Sequence, residues 1–551
     1  MSDPATASHR WNAALWRWFD AHVLDLGREM RLSYLPPLMV YLAAGISGLT
    51  GIVGTFFVKE YLGLSAEFLA ALAFWAGLPW ALKMPVGHLV DLMWRRKAGL
   101  VYLGALLLAA SLLIMVGLLA ERAAMEALLP ADTWFIVSSL LGPVGFVLQD
   151  TVADAMTVEA VPRVDAQGQP LPEAQLRMMT VTMQLLGRVA IIGGSVLVAV
   201  VNVVMFAGAA QLPQPEKIAL YTQVYLMALA IPAVSVAGVL LARVLWRRQI
   251  AALEARGIAA ADARRLLSVQ HAPPPADWAI LGGGLAFALV AVALGVTGVS
   301  GAQEVVFVVS MSIVVFLMLR LTGQLSAEAR ATLLGTAVLI FAFRAIPGPG
   351  VGATWWSIDV LGFDQQFLAK LSLIASVLTL VGLFALRRYM GTHSILHVVA
   401  MLTIVGTLLS LPTIGMFHGL HEWTAAHTGG VVDARFIAVV DTALESPLGQ
   451  IAMVPMLAWI ARSAPDHLKA TYFAVMASFT NLALSASQLG TKYLNQWFVV
   501  SREVRDPLTG VVSVAADYSF LGHLLVGSTL IGLLLPFAVI GLMRLLRLRC
   551  A

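Results

Sequence analysis

Apolar residues run through this chain in long unbroken stretches, not at the alternating spacing of a half-buried strand or on one stripe of a surface helix. About 20 consecutive apolar residues cross a hydrocarbon layer as a helix. Runs of that kind predict spans over 35–58, 66–91, 99–119, 134–157, 180–207 and 218–244, then 278–298 and 303–322. A further six lie at 328–346, 365–388, 395–415, 435–461, 468–497 and 518–543. The expected fold class is an all-α polytopic membrane protein of about 14 transmembrane helices. The more polar segment 1–34 does not look like a cleaved signal peptide. There Trp11, Leu15 and Trp18 recur at helical spacing around Arg17 and Asp20, which predicts an amphipathic helix on the cytoplasmic membrane surface.

Composition sharpens this picture. The 551 residues are 59% hydrophobic and only 12% charged, with a mean hydropathy of +0.85. Soluble proteins carry about twice that charged share, so a soluble enzyme is excluded. A disulfide scaffold or cysteine metal cluster is excluded too, because Cys550 is the single cysteine. The net charge of +4 is small, and its position matters more than its size. With the N-terminus inside, 24 of the 35 Lys and Arg fall on cytoplasmic loops and ends, while Lys59, Arg122, Lys217, Arg502 and Arg505 fall outside. Cytoplasmic clusters include Arg247-Arg248, Arg387-Arg388 and the group Arg544, Arg547 and Arg549. Both termini are therefore expected in the cytoplasm, as in a bacterial inner-membrane protein, with lipid and no nucleic acid as surroundings.

An internal repeat divides the spans. Leu62-Gly63-Leu64 through Phe68-Leu69-Ala70-Ala71-Leu72 returns as Leu361-Gly362-Phe363 through Phe367-Leu368-Ala369-Lys370-Leu371, at an offset of 299. Asp150-Thr151 with Asp154 returns as Asp441-Thr442 with Glu445, at an offset of 291. Each match lies eight spans apart, an even number, so the halves share orientation. That parallel repeat is the architecture of a major facilitator transporter. The expected domains are a six-helix bundle over 35–244, a cytoplasmic linker over 245–277 ending in Pro273-Pro274-Pro275, an inserted two-helix hairpin over 278–322, and a second six-helix bundle over 323–551.

Ionisable groups in hydrocarbon are costly and point to function. Asp150 and Asp154 share one helix face at i and i+4, with Glu159 further along; Asp441 and Glu445 repeat that pair. Three roles are open for them: loading a proton, as carboxylates crowded in low dielectric can, pairing with an embedded cation, or a cytoplasmic gating network. The embedded cations are Lys83, Arg188 (in Gln184-Leu185-Leu186-Gly187-Arg188), Arg344 and Lys370. They suit a small anionic substrate in a central cavity, or ion pairs with those carboxylates. Trp75, Trp80, Trp355 and Trp356 are placed near the cavity or its mouth, where they would stack on a planar heterocycle or sit at the interface. Gly87-His88-Leu89-Val90-Asp91 with Arg95-Arg96-Lys97 resembles the loop motif between the second and third spans of major facilitators, an inner gate in which the glycine permits close helix approach. His418, His421, Glu422 and His427 match no standard metal spacing and read as a solvated loop. No phosphate loop, nucleophile elbow or zincin motif is present, so no enzyme activity and no cofactor is expected.

Several of these pieces resemble the folate–biopterin transporter family of the major facilitator superfamily. They are Leu78-Pro79-Trp80-Ala81-Leu82-Lys83, Asp150-Thr151-Val152-Ala153-Asp154-Ala155 and Gln184 to Arg188. In the second half they are Pro455, Pro465, Ala470-Thr471-Tyr472-Phe473-Ala474, Asn481 and Leu489-Gly490. The resemblance implies proton-driven uptake of pterin-like or folate-like anions, with the paired aspartates and Lys83 important. The chain departs from the family in having Lys83-Met84-Pro85 for Lys-Pro, Lys469 where an acidic residue is usual, and two inserted spans. Muropeptide permeases and acetyl-CoA transporters share a similar aspartate segment, and a non-transporting assembly factor could use the same scaffold.

Overall fold

A computed structural model describes residues 25–62, 64–81, 83–162, 171–267, 275–297, 299–323, 326–386, 393–448, 469–505 and 512–546, with positions 164, 169 and 389. Trp11, Leu15, Trp18, Pro273, Pro274, Arg387, Arg388, Pro455, Pro465, Arg547, Arg549 and Cys550 lie outside the described residues.

With no water to satisfy N–H and C=O groups inside a bilayer, the apolar runs have one local solution, the helix. In the first half these are α1 (Leu35–Gly45), α2 (Gly51–Tyr61), α3 (Ala66–Ala81), α4 (Lys83–Leu92), α5 (Ala98–Ala120), α6 (Ala131–Ala160), α7 (Glu173–Met205), α8 (Gln214–Ala228) and α9 (Ala230–Glu254). A short helix, α10 (Ala260–Leu267), precedes the inserted pair α11 (Trp278–Thr297) and α12 (Ala302–Thr322). The second half contains α13 (Ala327–Arg344), α14 (Val351–Asp359), α15 (Gln365–Ala385), α16 (Ile395–Phe417), α17 (Leu420–His427), α18 (Ala434–Glu445), α19 (Lys469–Trp497) and α20 (Leu521–Leu545). A two-stranded antiparallel hairpin, β1 (Val504–Arg505) and β2 (Val512–Val514), lies between α19 and α20.

Among the described residues, eleven helices or continuous helix pairs are long and apolar enough to cross a membrane. Three of the expected spans are not among them. The span at 435–461 leaves the described residues after 448. Helix α13 carries Glu328, Arg330 and Arg344, and α19 is rich in Ser, Thr, Asn and Gln. Helices packed between others need less apolar surface than helices facing lipid, which is why a hydropathy threshold passes over them.

Several spans are broken. The first passes through a 3-10 segment, Ile46–Thr50, between α1 and α2. Here α1 touches α7 backbone to backbone: a Cβ built on Gly45 would lie 2.2 Å from the Ile191 carbonyl oxygen, and one on Gly194 would lie 2.8 Å from Gly45 Cα. Such contact between small residues is how helices bind closely where solvent gives no hydrophobic drive.

Two seams join the halves: α3 lies along α19, and α7 lies along α15. The inserted pair packs outside the first seam, α11 against α4 and α12 against α19 and α3. Its core positions Phe287, Val306 and Val314 merge with Phe74 and Leu78 of α3, Leu333 and Ile340 of α13, and Phe479 and Leu482 of α19.

Candidate functional site

The fourth span supplies both carboxylates and the second supplies the cation. Lys83, at the start of α4, lies 2.6 Å from Asp150 Oδ2 and 2.8 Å from Asp154 Oδ2. Of the two readings open for this lysine, the structure shows the ion pair. The other oxygen of Asp154 accepts a 2.6 Å hydrogen bond from the Tyr41 hydroxyl of α1. The pair is graded in exposure: the Asp150 side chain is 16% exposed and the Asp154 side chain 49%. Asp154 is thus the accessible member of the pair, and Asp150 lies behind it. One turn on, Thr157 donates to the Asp154 carbonyl at 2.7 Å, and exposed Gln184 of α7 donates to Thr157 Oγ1 at 3.3 Å. Arg188, half-buried on α7, adds positive charge that acts on Asp150 and Tyr41.

The second half is arranged differently. Arg344, at the end of α13, buries its Nε without a hydrogen-bond partner, and Asp441 of α18 does the same with Oδ1. Glu445 and Lys370 are exposed. The pairs that match in sequence therefore differ in state. The Asp150–Asp154 pair is closed on Lys83, whereas Asp441 and Arg344 each retain an unsatisfied buried atom.

The inner-gate motif is helical, not a loop. Gly87 to Asp91 belong to α4, and a 3-10 turn, Trp94–Arg96, makes the connection. A Cβ on Gly87 would meet Thr151 Cγ2 at 3.8 Å, an ordinary contact, so no close helix approach depends on this glycine. Arg95 and Arg96 are exposed. The buried neighbour Lys97 makes the ion pair here, 2.6 Å from Glu159 at the end of α6 and stacked over Trp94. His88 accepts a 2.9 Å hydrogen bond from the Asp277 backbone N–H, tying the inserted pair to the motif.

The tryptophans separate as well. Trp75 packs with the inserted pair, Trp355 is buried under the Arg502 guanidinium, and Trp356 is buried in an outer core with Phe363 and Leu521. Burial of so large an apolar surface outweighs display to a cavity. Trp80 stands at the seam, its carbonyl accepting from Asn481 of α19 at 3.3 Å.

At the opposite end of the molecule polar contacts cross between the halves. Lys59 of α2 lies 2.5 Å from Asp359 of α14, and Tyr518 donates to the same carboxylate at 2.5 Å. Burial and the Asp359 carboxylate raise the Tyr518 pKa, so its hydroxyl stays protonated as a donor. Arg502, 3% exposed, donates to the Lys59 carbonyl and stacks over Trp355. Gln496 donates to Glu67 at 2.6 Å and Gln365 to the Tyr221 hydroxyl at 2.9 Å.

Sequence reasoning did not single out Tyr41, Lys97 as a gate partner, or the Lys59–Asp359–Arg502–Tyr518 group. A tyrosine in an apolar run and charges in a loop carry no local signal, and their partners are distant in sequence. Among the described residues no group of three or more His, Cys, Asp or Glu could hold a metal ion, and the loop histidines do not converge.

The sequence profile of the BT1 family matches residues 44–548, nearly the whole chain. The chain belongs to the BT1 family. A folate-biopterin transporter from Synechocystis sp. is 28% identical over 206 residues, 36% of this chain and 40% of that protein. The chain thus spans less than half of that curated relative. Two solved structures share the fold of this BT1-family chain. A POT family transporter in complex with a thioalcohol-conjugated peptide superposes with a TM-score of 0.57 at 14% identity, over 92% of this chain and 95% of that one. The peptide transporter POT in complex with sulfate gives 0.55 at 16% identity, over 93% and 94%. The apolar spans and the superposition describe an integral, multi-pass membrane protein that shares its fold with those solved transporters.

Proposed function

We propose that this BT1-family protein is a proton-coupled secondary transporter that moves a small organic anion, pterin-like or folate-like, by alternating access between two bundles. The observation that carries the reading is the contrast between a lysine held by two carboxylates and a half-buried arginine whose Nε is buried without a hydrogen-bond partner. A buried N–H of a cation left without a partner is costly, and an anionic ligand relieves that cost. Arg344 is therefore the first contact for the substrate. Lys83 is neutralised at rest by Asp150 and Asp154. A proton reaching exposed Asp154 from the cytoplasmic side cancels one of those charges and frees Lys83 to take the anion as well. Protonation and binding are then linked through one side chain, which is the thermodynamic requirement for coupling. Lys97–Glu159 at the inner end and Lys59–Asp359 at the outer end are the ion pairs that would break alternately. The folate-biopterin relative from Synechocystis sp. supports the substrate class.

Proteoliposomes carrying the purified protein, with a pH gradient imposed in either direction and labelled folate, a pterin and a muropeptide offered in turn, test this. Uptake of one anion should follow the gradient. Arg344→Ala should weaken its binding by about ten- to a hundredfold, the equivalent of one lost charge-assisted contact of roughly 1.5–3 kcal/mol. Asp154→Asn should abolish gradient-driven accumulation while leaving the protein in the membrane. Uptake indifferent to the gradient would discard the proton role, and silence toward every anion would move the chain to the assembly-factor reading.

A further inference from the structure

Asp154 is held from two sides by groups with different chemistry. Lys83 reaches Oδ2 and can only donate; the Tyr41 hydroxyl reaches Oδ1 and can donate or accept. Tyr41 is 6% exposed, so its phenol has no access to bulk water as an alternative partner. Its ring is seated on Gly187 of α7: a Cβ built there would lie 2.9 Å from Cε2 and 3.0 Å from Cδ2. Only a residue without a side chain leaves room for the ring, so Gly187 sets where the hydroxyl points. One carboxyl group on the fourth span thereby collects the first, second and fifth spans.

We propose that Tyr41 is the positioning residue of this site, holding Asp154 in place in both protonation states while Lys83 is bound in only one. With Asp154 ionised, the phenol donates to it and supports the charged form beside Lys83. When Asp154 takes a proton, the carboxyl group becomes the donor and the phenol the acceptor, so the contact persists with its polarity reversed. Lys83 has no acceptor to offer, faces only a neutral carbonyl oxygen, and loses its ion pair with Asp154. The other charged groups around Asp154 are Asp150 on its own helix, Lys83 on α4 and Arg188 on α7; Glu159, further along α6, is engaged by Lys97. The inference rests on the reading of Asp154 as the proton-accepting group.

The test needs no substrate. Purified protein in liposomes is treated with dicyclohexylcarbodiimide across a pH series, and adduct on the Asp154 peptide is measured by mass spectrometry. The reagent attacks protonated carboxyl groups, so labelling ceases above a limiting pH. In Tyr41→Phe that limit should move up by about one unit, because the charge-assisted bond to the ionised carboxylate is stronger than the bond to its neutral form, and both are lost. Gly187→Ala keeps the hydroxyl but displaces the ring, and should shift the limit in the same direction; it decides the matter if Tyr41→Phe fails to reach the membrane. A change in the extent of labelling at every pH with an unmoved limit would mean that Tyr41 merely packs, and would overturn the proposal. Absence of labelling on Asp154 at any pH would overturn the proton reading itself, and this inference with it.

Discussion

At the scale of single residues, the spans are spaced by glycines whose neighbours leave no room for a side chain. On α5 and α6, a Cβ at Gly104 would lie 2.6 Å from the Gly145 carbonyl oxygen, and one at Gly145 would lie 2.7 Å from the Gly104 carbonyl oxygen. Both obstacles are backbone, so relief requires the helices to part and release packed neighbours such as Leu108. Gly145→Ala is expected to cost roughly 1–3 kcal/mol and lower the melting temperature in detergent. Gly193→Ala, with nothing within 4 Å of its built Cβ, is the matched control and should leave it unchanged. The same scale shows what one residue's sequence neighbourhood reveals. Asp150 and Asp154 stand out because carboxylates in an apolar run are rare. Tyr41 does not stand out, because a tyrosine there is ordinary and its partner lies 113 residues away.

At the scale of elements, the inserted pair is a brace, not a peripheral addition. At its outer end Glu304 of α12 accepts from Lys492, 3.2 Å away, and from the Tyr493 hydroxyl, while Gln303 donates to the Ala71 carbonyl at 3.1 Å. At its inner end Asp277 binds His88 through its N–H, and its side chain lies 3.4 Å from Arg320. The pair therefore holds α3–α4 of one half and α19 of the other. Glu304→Gln should lower stability by about 1 kcal/mol, and Lys492→Met should cost less in that background than alone, a coupling that a double-mutant cycle in detergent measures. Equal costs in both backgrounds would show that the contact does not hold the brace.

At the scale of the whole molecule, most of the described cross-half polar contacts gather at the end that holds Lys59 and Asp359, while Asp154 and Gln184 are exposed away from it. At that end Lys59, Asp359, Arg502 and Tyr518 tie the halves together. Asp359→Asn removes the charge that holds Lys59 and weakens the acceptor of Tyr518, which should shift the balance toward the outward-facing state by about tenfold, the equivalent of about 1.4 kcal/mol. Because Cys550 is the single cysteine, Gln184→Cys in a Cys550→Ser background gives one reporter. Its labelling by an impermeant thiol reagent offered from the side on which Gln184 is exposed should fall, and unchanged labelling would remove these residues from the gate at the opposite end.

The long apolar runs determined the helices by themselves, because hydrocarbon leaves the backbone one way to satisfy its hydrogen bonds. The two offsets, 299 and 291, exposed the parallel halves, because a repeated bundle keeps its local pattern. The embedded charges named the candidate site, because their burial cost is a property of residue type and surroundings. What each charge does was decided only by the tertiary structure. Lys83 is paired with two carboxylates while Arg344 keeps an unpartnered Nε, Lys97 and not Arg95 or Arg96 pairs with Glu159, and Trp355 is buried under Arg502. Pairing depends on which helix faces which, and that is set by close packing across seams whose members are far apart along the chain.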